Sequence, residues 1–184
     1  MYWTVQRSNS GLSSACFDAD MKLRYSLSRR FEYPDTPFAH LALFVMLNPS
    51  TADALKDDPT IRRLNGFTKA WGLSGFDVVN LFAHRATNPK ELLTACHPAT
   101  YSRQELDEDA FLEPVLKRPY ALICYAWGAG VPFNRDRRFV RMAESWTIQK
   151  PWAFGYTKNG FPLHPLRLPA SQKLVPFELK SVAA

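Results

Sequence analysis

The sequence predicts an α/β fold of three layers, an open, mainly parallel sheet with helices on both faces, preceded by an N-terminal β-hairpin. Three observations predict it. Short apolar runs recur at strand length, as strands covered on both faces require. Stretches with helical spacing lie between them. The resulting order, strand, helix, strand, helix, strand, helix, strand, is that of a parallel sheet joined by crossovers. The chain has 184 residues, 46% of them apolar, enough for one substantial core, and with no repeat or compositional break a single domain over residues 1–184 is expected.

The elements follow in order. "SACFDAD" (14–20) and "MKLRYSLSRRF" (21–31) alternate apolar and polar residues around a turn near Asp18 to Asp20, the pattern of an antiparallel hairpin. "LALFVML" (41–47) is the first buried strand. Asp58 is placed to cap a helix with Pro59 at its first position; Ile61, Leu64, Phe67 and Trp71 share one side of it, and Gly72 marks its end. "FDVVNLFA" (76–83) is the second strand, and a helix fills much of 101–117. "YALICYAW" (120–127) is the third strand, 135–146 a basic helix, and "PWAFGY" (151–156) the fourth strand.

Charge and cysteine usage bound the function. The formal net charge of +6 favours anionic partners, DNA or a nucleotide among them, although no block of five like charges occurs. Nothing resembles a signal peptide or a membrane span, so a soluble, cytoplasmic protein with no membrane partner is expected. Cys16, Cys96 and Cys124 are widely spaced and form no C-x-x-C pair, which excludes a disulfide framework or a four-thiolate metal site built from them alone. Neither a metal nor another cofactor is implied. A Walker loop, a Rossmann glycine fingerprint and a G-x-S-x-G elbow are all missing, which removes triphosphate hydrolysis, dinucleotide redox chemistry and serine hydrolysis from the leading classes.

Open α/β sheets bind ligands beyond the carboxyl ends of their strands. Those ends carry Asn48-Pro49-Ser50-Thr51, then Asn80 and His84-Arg85, then Trp127-Gly128, then Lys158 and His164. Each grouping taken singly suits a cap or turn; their convergence on one edge is what suggests a site.

"MLNPSTAD", "DDPTIRR", "VVNLFAHRAT", "AWG" and "TKNGFPLHPL" resemble a bacterial and phage family of domains of unknown function over nearly the whole length. More distantly, the chain is similar to the uracil-DNA glycosylase superfamily: "MLNPS" resembles its first motif, "VVNL" the pair that ends its middle strand, and "HPL" its late H-P motif, in the same order. The departures are Met46 and Ser50, which stand where those enzymes carry glycine. The resemblance implies that Asn48 holds an attacking water, Asn80 reads the base, and His164 lies near the deoxyribose and the leaving base. No iron–sulfur cluster is implied, because the cysteines lack that spacing.

The residues add further candidates. Asp53 is the carboxylate nearest the expected water site. Phe82 or Trp127 can wall a flipped base, with Pro49, Ser50, Arg85 and Lys158 completing the binding set. Arg62 and Arg63, set against the dipole in the first helical turn, suit an anion. Asp57 and Asp58 fit caps, and "RDRRFVR" (135–141) fits a solvated face. The expected function is therefore nucleobase-, nucleoside- or nucleic-acid-directed, with hydrolysis of N-glycosidic bonds as the leading chemistry. The alternatives are a noncatalytic nucleotide or modified-base binding module, and an interaction protein of a phage or mobile-element system. Oligomeric state is not legible.

Overall fold

The structure, a computed structural model, describes residues 1–8, 11–31 and 37–179. It is an α/β fold in which eight strands form one mixed sheet, with four α-helices among the described residues. The strands are β1 (Tyr2–Ser8), β2 (Gly11–Phe17), β3 (Arg24–Phe31), β4 (Leu41–Met46), β5 (Gly75–Asn80), β6 (Leu122–Tyr125), β7 (Trp152–Ala153) and β8 (Val175–Pro176). The helices are α1 (Pro59–Ala70), α2 (Leu92–Ala95), α3 (Pro98–Leu116) and α4 (Arg135–Trp146). Strand order across the sheet is β1-β2-β3-β5-β4-β6-β7-β8.

Parallel pairing is confined to β5-β4-β6-β7; the flanking pairs β1-β2, β2-β3, β3-β5 and β7-β8 are antiparallel. "Mainly parallel" therefore describes only the centre of the sheet. The expected hairpin is a three-stranded meander, because Tyr2–Ser8 adds β1 outside β2. The fourth core strand shrinks to two residues, ending where Phe154 turns into the core, and β8 completes the opposite edge.

All six residues of β4 and all six of β5 are buried, which accounts for the continuous apolar run of β4; β5 adds two buried polar residues, Asp77 and Asn80, to an otherwise apolar strand. Successive residues of β4 enter different clusters, as the period of two requires. Ala42, Phe44 and Met46 pack with Ile61, Leu64 and Phe67 of α1. Leu41, Leu43, Val45 and Leu47 pack with Leu112, Val115 and Leu116 of α3 and with Phe139, Val140 and Ala143 of α4. Burying each such side chain contributes about 1.5–3 kcal/mol, so β4 anchors both clusters. The start of α1 is as expected: Asp58 accepts a hydrogen bond from the Ile61 N–H at 2.8 Å, Pro59 occupies the first position, and Gly72 turns away at φ +70.

Two features of the sheet position the site. β4 lies between β5 and β6, so the chain leaves β4 toward one side and later crosses to the other. A crevice opens beyond the carboxyl ends at such a reversal. The second feature is a bulge: Cys16 pairs with Ser26 and Phe17 with Arg24, leaving Tyr25 as an extra residue in β3. A bulge re-aims the side chains beyond it. Because β3 runs against β5, its first residue, Arg24, also reaches the edge where the parallel strands end.

Candidate functional site

A cavity of about 540 Å³ opens at that crevice, within the size range of small-ligand sites. Of the expected site residues, Asn48, Ser50, Asn80, Trp127 and His164 line it together. Arg24, Asp58 and the first turn of α1 line it too.

The loop after β4 is held by the ladder that continues past the strand ends. Leu81 N–H donates to Met46 C=O at 2.8 Å, Phe82 N–H to Leu47 C=O at 3.0 Å, and Ala86 N–H to Pro49 C=O at 2.9 Å. The Asn48 amide nitrogen donates to the carbonyls of Ala86 at 2.8 Å and Pro49 at 3.0 Å. Two carbonyl acceptors fix its orientation and leave Oδ1 as the acceptor available to a ligand or water.

Asn80, the last residue of β5, is buried, and neither its Nδ2 nor its Oδ1 meets a hydrogen-bonding partner within the protein. The Trp127 indole N–H, just past β6, is likewise buried and without a partner. Each such group costs about 1–3 kcal/mol when left unpaired. A ligand that supplies complementary atoms recovers that cost.

His164 caps a short 3₁₀ turn, its Nδ1 accepting the Leu166 N–H at 3.3 Å. That bond places the proton of the neutral ring on Nε2. Burial lowers the His164 pKa from its ordinary value, against a smaller opposing pull from Asp58, so the ring is a neutral donor at neutral pH. Gly128 makes this position possible: its φ is +79, and a Cβ there would stand 3.3 Å from the His164 Cβ.

The other expected residues are placed elsewhere. Asp53 does not line the cavity; its Oδ1 closes a local turn by accepting the N–H groups of Leu55 at 2.7 Å and Lys56 at 2.8 Å. The carboxylate that does line it is Asp58, which also caps α1. Pro49 is buried beneath the loop, and Phe82 packs into the core with its ring centroid 6.0 Å from that of Tyr101. Arg85 lies in an adjoining cleft that shares Ser50, Thr51, Ala86 and Thr87 with the cavity; it donates to the carbonyls of Ser50 at 3.3 Å and Met21 at 3.0 Å. Lys158 is exposed outside the cavity. Arg62 donates to the Asp57 carbonyl at 2.6 Å, and Arg63 to the Leu168 carbonyl while covering the Phe67 ring at 4.8 Å, so both stabilise α1 and its surroundings.

Arg24 is the residue that sequence reasoning missed. It is 2% exposed, donates from Nη1 to the Ala52 carbonyl at 2.8 Å, and has no partner for its buried Nε. Burial lowers its pKa to about 10, partly offset by Asp58. A clue was present in the basic residue at the start of an otherwise half-apolar strand, but the bulge that directs it inward has no signature in the alternation.

Among the described residues no group of three or more His, Cys, Asp or Glu side chains gathers as a metal site, and no helix is long and apolar enough to cross a membrane. Cys16, Cys96 and Cys124 are free and buried. A family model described as "Protein of unknown function (DUF1643)" matches residues 24–166. No curated protein and no solved structure matches the chain.

Proposed function

Because the chain belongs to the DUF1643 family, whose description assigns no chemistry, we propose a function from the site itself: recognition of a nucleobase, with hydrolysis of its N-glycosidic bond as the reaction. The observation that carries this reading is the buried Asn80 amide with both polar atoms unpartnered in the cavity. An amide offers a donor and an acceptor side by side, which matches the hydrogen-bonding edge of a base. The Trp127 indole N–H adds a second donor, and the indole provides part of an aromatic wall.

In this reading the sheet and its helices form a three-layer fold of the uracil-DNA glycosylase type, with α1 on one face and α3 and α4 on the other. The Asn48 Oδ1 holds a water, whose oxygen bonds to the sugar C1′ as the C1′–N bond breaks. The bonding pair leaves with the base and is stabilised by the proton on His164 Nε2. Asp58 takes the place expected for Asp53, as the carboxylate that stabilises positive charge on the sugar and receives the water's proton. Asn80→Ala should lower base affinity at least tenfold without lowering unfolding free energy, because the side chain makes no hydrogen bond that folding would lose and its two buried polar atoms are unpaired in the absence of a ligand.

The test is release of free base from uracil-containing, deaminated and alkylated DNA, measured beside thermal stability for the wild type, Asn48→Ala and His164→Ala. Loss of turnover in both variants beyond what any fall in melting temperature explains supports the enzyme reading, since Asn48→Ala also loses two hydrogen bonds to loop carbonyls. A second reading, a noncatalytic binding module, is favoured by one observation: Met46 and Ser50, which carry side chains where the resembling enzymes carry glycine, both line the cavity. Base-specific binding by a wild type that releases no base from any of these substrates would select it.

A further inference from the structure

Arg24 is almost wholly buried, and no ion pair to it occurs among the described residues. A guanidinium removed from water without a carboxylate in contact costs several kcal/mol, and natural sites relieve that cost with an anion. Asp58 is the nearest compensating influence, yet it lies beyond ion-pair distance and its Oδ1 is engaged by the Ile61 N–H. Asp53 pulls in the same direction more weakly, while the positive charges of Arg85 and Arg29 oppose the charge on Arg24. Arg29 is neutralised by Asp57 at 2.5 Å. Arg85 has no ion pair among the described residues, and it holds the same loop by the Ser50 carbonyl that Arg24 holds by the Ala52 carbonyl. Two unpaired guanidinium groups therefore flank one loop, one inside the cavity and one in the cleft that adjoins it.

We infer that the cavity takes a ligand bearing its own negative charge, with Arg24 inside and Arg85 at the rim binding a phosphate, so that the unit recognised is a nucleotide and not a free base or nucleoside. This rests on the nucleobase reading of the same cavity. The unpartnered Arg24 Nε–H is the donor this phosphate satisfies, as Asn80 and Trp127 are the groups the base satisfies. The phosphate belongs either to a free mononucleotide or to the phosphodiester of a DNA strand; both offer the same oxygens to a guanidinium.

The experiment is calorimetric titration of the full chain with 2′-deoxynucleosides, their 5′-monophosphates, short single-stranded DNA and inorganic phosphate, for the wild type, Arg24→Met and Arg24→Lys. At least one nucleotide should bind tenfold or more tightly than its nucleoside. That increment should vanish in Arg24→Met and survive in part in Arg24→Lys, which also keeps the test open if the Met variant does not fold. If only the DNA strand shows the increment, the phosphate is a phosphodiester. Equal affinity for nucleoside and nucleotide, or an increment that survives in Arg24→Met, overturns the phosphate subsite while leaving the base pocket standing. If phosphate binding depends on Arg24 but no base alters affinity, the base reading fails and the anion site stands. Absence of binding by every probe overturns both.

Discussion

Arg24 and Arg135 are equally hidden from water, at 2% and 1% exposure, but their surroundings differ in kind. Arg135, at the start of α4, pairs with Asp109 and with Glu105 at 3.3 Å, both on α3, and donates from Nε to the Leu81 carbonyl at 2.9 Å. Arg138 reinforces the same carboxylates at 2.8 Å and 3.3 Å. Nearby, Glu108 accepts hydrogen bonds from Tyr101, the Ala83 N–H and Gln104. Each of these charged side chains meets a partner supplied by the chain, and although Arg135 Nη1 and Glu108 Oε2 make no hydrogen bond, Nη1 faces the Glu105 carboxylate and the other Glu108 oxygen accepts three. In the cavity, Arg24, Asn80 and Trp127 keep unpartnered atoms. The α3–α4 region uses buried polarity to fix two helices together, whereas in the proposed reading the cavity keeps it available to a ligand.

The largest effect on stability is expected from removing a carboxylate from Arg135. Asp109→Ala leaves the guanidinium buried with Glu105 alone, and the expected loss of unfolding free energy in urea is about 3–5 kcal/mol. A loss below about 1 kcal/mol would place the α3–α4 network with ordinary surface pairs.

The next effect is set by pH. Burial pushes the Glu108 carboxyl from its ordinary 4.5 up to about 7. Over that interval the folded protein holds a proton that the unfolded chain has released. Its contribution is therefore fully present below about 4.5, falls as pH rises toward about 7, and is level above that, a span of roughly 3 kcal/mol. Urea unfolding of wild type and Glu108→Gln across this range should show the slope in the first and its loss in the second.

The smallest effect lies on the cavity side. Gly128→Ala forces a side chain into a left-handed conformation and against His164, at a cost of about 1–2 kcal/mol in thermal unfolding. It should displace His164 and weaken ligand binding by more than that loss of stability explains, which Asp109→Ala should not do.

Much of this was legible because the physics is local. The Asp58-Pro59 start of α1, its apolar face and its Gly72 stop depend on spacing within one helix. α4 spans the predicted residues for the same reason. β4 and β5 announce themselves as apolar runs, and the expected convergence of Asn48, Asn80, Trp127 and His164 follows from strand order. What escaped depends on distant partners. Asp53 stands near Asn48 in sequence, but the chain spends its carboxylate on a turn. Phe82 has the parity of Val78 and Asn80, which line the cavity, but past the end of β5 the alternation breaks and Phe82 joins Leu81 in the core. Arg24 is directed inward by a bulge opposite Cys16 and Phe17, and it reaches the carboxyl edge because an antiparallel strand begins where its parallel neighbour ends. β1 is an edge strand with Trp3 and Val5 exposed, so no buried run marks it.

The cavity wall runs from position 24 to position 166, and this bears on the order in which the chain matures. The β1-β2-β3 meander joins near neighbours and closes short loops, while pairing β4 with β6 must first close a long one. A growing chain carries a meander long before it carries a pocket, and the pocket is finished only when His164 settles beside Gly128. On the proposed reading, ligand uptake would therefore register completion of the whole fold. A ligand bound as proposed would tie early wall residues to late ones, and its addition should slow amide exchange in β4 and β6, far from the strands that form first.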